Sequence, residues 1–209
     1  MKKITALRAG GGGGKQVKVF LDGKFAFRLE TGVAAREGLR IDQTLSAEQI
    51  ETLTGNNQLS RCYNAATLYL SYRPRSELEL RDRLHRRGFD GDRVDKVIAR
   101  LKEQGLVDDT AFAQFWAENR ESFSPRSQRL TRLELKQKGV AEDIIDQTVA
   151  AIDDEDSAYW AASRKARSLT VSDYQSFRRR LGGHLQRRGF SYGVINDTVE
   201  RIWQDRPAT

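Results

Sequence analysis

Three times along this chain a leucine stands four residues before a glycine, and an apolar residue follows that glycine: Leu84 with Gly88-Phe89, Leu135 with Gly139-Val140, and Leu185 with Gly189-Phe190. This is the pattern of a helix ending. Glycine just past a helix takes the left-handed conformation that lets the last carbonyls be satisfied, and the apolar residue after it packs back onto the leucine. The three glycines are separated by 51 and then 50 residues, and more than the stop signal returns at that offset. Pro74-Arg75-Ser76 reappears as Pro125-Arg126-Ser127, and the apolar face of Val94, Ile98 and Leu101 reappears as Ile145, Val149 and Ile152, then as Ile195, Val199 and Ile202. An offset this constant across start, stop and core face identifies a tandem repeat.

Helical spacing divides the first repeat into three helices, near Arg61 to Ser71, Ser76 to Arg87 and Arg93 to Gln104. Ser76-Glu77-Leu78-Glu79 is a capping-box pattern, and Pro74 keeps the preceding helix from running through it. The second repeat spans Asp108 to about Ala151 and the third about Asp156 to Trp203, with Tyr159, Trp160 and Ala162 placing the first helix of the third copy.

The leading stretch reads differently. Ile4 to Arg8 is a strand, and the run Gly10 to Gly14 is a loop or linker. A phosphate-binding loop is rejected there, since it needs glycine at Ala9 and a hydroxyl at Gln16. Val17 and Val19 alternate on one side of Asp22-Gly23, and Phe25, Phe27 and Leu29 on the other. Parity favours a three-residue hairpin loop ending with a left-handed Gly23, which sets Val17 and Val19 beside Phe27 and Phe25. A short helix follows at Thr31 to Glu37, and Ser46-Ala47-Glu48-Gln49 opens a second, to about Leu53, broken by Gly55-Asn56-Asn57. The expected architecture is mainly α: three tandem three-helix repeats in an elongated array, preceded by a small α+β N-terminal domain with a β-hairpin and short helices. Its divisions fall at 1–57, 58–106, 107–154 and 155–209.

Composition narrows the function classes. Of the 209 residues 38% are hydrophobic and 31% charged, which suits small helical units better than one thick globule. One cysteine, Cys62, excludes an internal disulfide and points to a reducing compartment. With only His85 and His184 beside it, no zinc cluster is expected. No apolar run reaches membrane-span length and no signal peptide opens the chain, so a cytoplasmic protein is expected. Asp108-Asp109 stands where a helix N-cap belongs. Phe112, Trp116, Trp160 and Trp203 read as core, and the histidines as solvated helix residues. No nucleophile, acid–base or metal set can be assembled, so neither catalysis nor a cofactor is expected.

Charge is the informative remainder. The net charge is +7, and beyond the leading stretch it varies: +5 over residues 61–102, −7 over 103–157 and +6 over 158–209. The second helix of every repeat nonetheless offers basic residues: Arg73, Arg75, Arg81, Arg83, Arg86 and Arg87 at the first; Arg126, Arg129, Arg132, Lys136 and Lys138 at the second; Arg178, Arg179, Arg180, Arg187 and Arg188 at the third. Any one of these reads as a solvated residue complementing a helix dipole. Three copies in one orientation fit phosphate contact or docking on an acidic protein surface. Little aromatic interleaving accompanies the arginines, which weakens a case for base stacking.

Tyr69-Leu70-Ser71-Tyr72-Arg73-Pro74-Arg75-Ser76-Glu77-Leu78-Glu79-Leu80, then Arg87-Gly88-Phe89, then Gly105-Leu106-Val107-Asp108-Asp109 with Phe112-Ala113, resembles the bacterial RecX family of recombination regulators. The resemblance covers roughly residues 60 to 205. It implies a non-enzymatic modulator of the RecA recombinase, built of three-helix repeats, that binds RecA or the RecA–DNA filament along its helical groove. Such a protein impedes filament extension, strand exchange, ATP hydrolysis and coprotease activity, placing it in DNA repair and the SOS response. A monomer is expected, with the arginine-rich helices as its contact surface for RecA or DNA. The alternative is a general DNA-binding protein that acts by competing for DNA.

Overall fold

The computed structural model describes residues 1–10, 15–171 and 173–205; the glycine run from 11 to 14 lies outside the described residues. Two compact units are present, one of Met1–Arg73 with Leu80–Leu106, the other of Pro74–Glu79 with Val107 onward.

In the first unit, β1 (Lys2–Ala9), β2 (Gln16–Leu21), β3 (Lys24–Glu30) and the short β4 (Thr44–Leu45) form an antiparallel sheet in the order β3-β2-β1-β4. Its core is Ile4, Val19, Leu21, Leu29, Ala34, Leu45 and Leu53. The hairpin loop differs from the sequence expectation. It has two residues, Asp22 and Gly23, both at positive φ (50° and 78°), the type I′ conformation that matches strand twist. The parity is instead restored by a bulge: Val19 pairs with Phe27 but Phe20 with Phe25, leaving Ala26 as the extra residue. Phe27 therefore joins the core face, while Phe25 is 53% exposed and packs edge-on against Phe20 on the other face.

Helix α1 (Thr31–Arg36) follows, and then α2 (Ala47–Leu70), opened by the expected capping box at Ser46 and Gln49. The break expected at Gly55-Asn56-Asn57 does not occur, and residues 57 and 58 lie inside one helix of 24 residues. Tertiary hydrogen bonds hold the weak helix formers in line. Asn57 is buried, accepts from the Glu30 N–H at 2.7 Å and donates to the Arg28 carbonyl at 3.2 Å, so it closes the end of β3. Asn56 donates to Glu37.

The repeats follow as α3 (Glu77–Arg86) and α4 (Gly91–Glu103) after α2; α5 (Asp109–Phe123), α6 (Gln128–Gln137) and α7 (Glu142–Ala150); and α8 (Asp154–Ala166), α9 (Tyr174–Gln186) and α10 (Tyr192–Gln204). The three glycine endings have φ of 83°, 75° and 88°. Each completes a double hydrogen bond: Phe89, Val140 and Phe190 N–H donate to Leu84, Leu135 and Leu185 carbonyls, and the glycine N–H groups donate to His85, Lys136 and Gln186. The three leucines are fully buried.

The second unit shows how consecutive repeats join. Asp109, in the first turn of α5, accepts from the Glu77 N–H at the start of α3, and Asp154, in the first turn of α8, accepts from the Gln128 N–H at the start of α6. The second and third repeats thus each satisfy one otherwise orphaned donor at a helix start of the repeat before. Asp108 itself caps α5, accepting from Thr110 and Ala111. The core packs Phe112 and Leu135 with Ile145 in the second repeat, and Phe177, Leu181, Leu185 and Val199 in the third, with Trp203 against Phe177 at 5.1 Å. Trp160 departs from expectation: α8 buries Ser157, Ala158, Ala161 and Ala162, and Trp160 lies off that face, 60% exposed.

Candidate partner-binding surface

The basic residues singled out by sequence have very different surroundings. In the first unit Arg81 is paired with Asp95, Arg83 lies over the Tyr69 ring at 5.4 Å, and Arg86 donates back to the Asp82 carbonyl. Arg86 and Arg87 are exposed and make no ion pair among the described residues. Arg73 and Arg75 are half-buried beside the start of α3.

On α6 most of the charge is internally compensated. Arg132 binds Glu142 at 2.8 Å and Asp146 at 2.5 Å, which raises its pKa, chiefly through the Asp146 bond. Lys136 approaches Glu142 at 3.7 Å. Lys138 takes Glu79 and lies 5.1 Å from the Trp116 ring centre. Arg126 takes the buried Glu134, which also accepts from Arg120 Nε and Trp116 Nε1, both at 2.8 Å. Arg129 alone of these stays exposed and without an ion pair among the described residues.

On α9 and at its C-cap, Arg178, Arg179, Arg180 and Arg187 are exposed, and none makes an ion pair among the described residues. Arg178 donates to Tyr192 Oη and Asn196 Oδ1 at 3.1 and 3.2 Å, both neutral groups. Arg188 is half-buried, its Nη1 is 3.5 Å from His184 Nδ1, and its carbonyl accepts from the Ser127 N–H. That backbone bond joins the end of α9 to the start of α6 and brings arginines from three helices together. Burial, then Arg187 and Arg164, pull the Arg188 pKa down; burial, then Arg120 and Arg188, do the same to Arg126. Arg129 Nη2 would lie 3.6 Å from a Cβ at Gly189. Arg164, on α8, donates to the Ser122 and Phe123 carbonyls at the end of α5. The cluster is thus Arg126, Arg129, Arg164, Arg187 and Arg188, with Glu134 as the carboxylate bound to one of them. Burial is the larger cause of both depressed guanidinium pKa values, and the neighbouring arginines add to it.

Three contributors escaped sequence reading. Arg164 lies outside the second helices, and its carbonyl partners are set by tertiary packing. Tyr192 and Asn196 are on α10 and meet Arg178 only through the fold. The aromatic neighbour missing from the arginine-rich segments is therefore supplied by another helix. His184, expected in solvent, is half-buried, and burial with Arg188, Lys165 and Arg187 lowers its pKa to about 4.

Among the described residues no group of three or more His, Cys, Asp or Glu is placed to hold a metal ion, and no helix is long and apolar enough to cross a membrane. Consecutive three-helix domains, stapled at their helix starts and carrying arginine or lysine at their glycine helix endings, define a tandem-repeat protein with a basic surface. Models of the first, second and third three-helix domains of RecX match residues 62–101, 108–149 and 153–199. The chain belongs to the RecX family. A regulatory protein RecX of Clostridium botulinum (strain Eklund 17B / Type B) is 29% identical over 205 residues, 96% of each chain. Another, from Chlorobaculum tepidum, is 34% identical over 149 residues, covering 71% of this chain and 92% of the relative. A crystal structure of a regulatory protein RecX, at 25% identity, aligns with a TM-score of 0.65 over 94% of this chain and 100% of that one.

Proposed function

We propose that this protein regulates RecA: it binds RecA or the RecA–DNA filament and modulates, mostly by inhibition, filament extension, strand exchange, ATP hydrolysis and coprotease activity. It does so as a cytoplasmic monomer, without a cofactor or a catalytic step of its own. The observation carrying this reading is the convergence of Arg126, Arg129, Arg164, Arg187 and Arg188 where the second and third repeats meet, a concentration of positive charge suited to phosphates or acidic protein surface. The names of its relatives support a regulatory rather than enzymatic role.

Binding to preformed RecA–DNA filaments, with naked DNA and RecA alone as controls, tests the reading directly. Reversal of Arg86, Arg87, Arg187 and Arg188 to Glu is expected to weaken filament binding while helical content stays intact. Unchanged inhibition of the RecA ATPase by that variant overturns the residue assignment. A second reading, general DNA binding by competition, is favoured by the absence, among the described residues, of ion pairs to the exposed arginines of α9. It requires naked DNA to be bound as tightly as the filament, with affinity falling steeply with salt.

A further inference from the structure

The repeats provide an internal comparison. In the first, Arg81 on the second helix pairs with Asp95 on the third. In the second, the residues at the same positions, Arg132 and Asp146, pair again, with Glu142 added. At the corresponding offset of 50, the third repeat has Gly182 for Arg132, Tyr192 for Glu142 and Asn196 for Asp146. Both sides of the ion pair are gone. The space they would fill is an open groove of about 590 Å³ between α9 and α10. A Cβ at Gly182 would meet Ile195 Cγ2 at an ordinary 3.5 Å, so the groove is not there because the backbones are in forced contact.

The groove is lined by Arg178 and Arg179, by the amides of Gln175, Gln186 and Asn196, and by Tyr192; among the described residues no carboxylate lines it. Arg178 reaches in from one turn earlier on α9 and is held by Tyr192 and Asn196, which leaves three of its five donors unused and its charge without a counter-ion among the described residues. Asp173, whose carboxylate feels Arg179, is outside the lining, at the start of α9. Tyr192 is 73% exposed, with its phenol anchored, so its ring is fixed rather than free to collapse on the surface.

We propose that this groove binds a nucleic-acid strand, with a backbone phosphate on Arg178 and Arg179 and the adjoining sugar or base against the Tyr192 ring. The assignment rests on the reading of the α9 surface as partner-binding and names what this part of it takes. An acidic peptide would use the guanidinium groups but has no use for an exposed, oriented aromatic ring flanked by amides; a nucleotide uses all three. The first and second repeats close the same position with their own ion pairs, so only the third reads phosphate there.

The test is fluorescence anisotropy with a labelled oligothymidylate of about 15 nucleotides, long enough for one such groove. Arg178→Ala with Arg179→Ala is expected to lower affinity about tenfold and to reduce the log–log salt slope by about one to two. The triple change Gly182→Arg, Tyr192→Glu and Asn196→Asp, which restores the second repeat's arrangement, is expected to weaken binding at least as much. Tyr192→Ala alone, at an exposed position, serves if the triple variant loses its helical circular dichroism. Lys3→Ala, which removes an exposed cation paired with Asp42 on the leading sheet, is the control and leaves affinity within about twofold. Unchanged oligonucleotide affinity and slope in the α9–α10 variants overturns the inference, as does polyglutamate displacing the oligonucleotide from the wild type at matched charge. Filament binding measured in parallel separates the two ideas: if it persists while the oligonucleotide data do not change, the groove assignment falls and the regulatory reading stands; if wild type binds oligonucleotide but no filament, the reverse holds.

Discussion

A Cβ placed on Gly189 would stand 2.6 Å from the Ser127 hydroxyl oxygen, closer than real Cβ atoms approach. The glycine that ends α9 is thus also the seat for the start of α6, where Ser127 Oγ accepts from the Leu130 N–H and the Ser127 N–H donates to Arg188. Gly139 has the same relation to Leu78, at 2.8 Å. Gly88 shares the positive φ but has nothing within 4 Å. Alanine at Gly88 is expected to cost about 1–2 kcal/mol, the left-handed penalty alone. At Gly189 or Gly139 overpacking adds to it, for about 2–4 kcal/mol. Urea titrations followed by circular dichroism compare the three directly; equal losses contradict the seating role.

The shared capping device gives a second expectation. Asp154→Ala removes the acceptor for the Gln128 N–H, and Asp109→Ala that for Glu77. Each is expected to destabilise by about 1 kcal/mol, in line with other lost caps. Hydrogen exchange locates the effect: the amide of Gln128 should lose protection in Asp154→Ala although the substitution is in another repeat.

His184 confers a pH dependence. Its folded pKa of about 4 lies below the ordinary value of 6.5, so the unfolded chain binds the proton more readily than the native one. Stability from the neutral ring is present above about pH 6.5 and is lost progressively as pH falls toward 4. Thermal melts between these limits should fall more steeply for the wild type than for His184→Gln, and parallel slopes would exclude the effect.

Cys62 is fully buried on α2, and burial raises its thiol pKa to about 11, against a small opposing influence of Arg93. At pH 8 in the absence of denaturant, a disulfide reagent is expected to label it slowly, with a burst on unfolding. Rapid stoichiometric labelling of the folded protein contradicts this.

Asn57 supplies a fifth expectation. Replacing it by Ala leaves the Glu30 N–H and the Arg28 carbonyl without its amide, for a loss of about 1–3 kcal/mol in a chemical denaturation curve.

The helix endings, the capped starts and the apolar faces were legible because each depends on residues a few positions apart: Leu84, Gly88 and Phe89 specify their turn wherever they are placed. What was not legible depends on partners distant in the chain. Gly55-Asn56-Asn57 looks like a helix break until Asn57 is seen to hydrogen-bond β3. The phase of the hairpin could be corrected either in the loop or in the strand, and alternation alone does not distinguish Gly23 from Ala26. The same applies to the surface. All sixteen basic candidates are visible in the sequence, yet whether Arg132 is spent on Asp146 or Arg187 left open is decided by tertiary neighbours.

Helix α2 has a mechanical consequence. Its 24 residues span about 36 Å. Its middle is pinned to the β3 edge through Asn57, and its C-terminal half packs on α4, with Tyr63 bonded to Gln104 at 2.8 Å and covered by Arg100. The leading sheet and the first three-helix domain therefore grip a single shaft. Torque applied to one reaches the other without a hinge, and cutting the chain at residue 58 would saw through that shaft, leaving Cys62 and Ala66 on a helix robbed of its capped beginning.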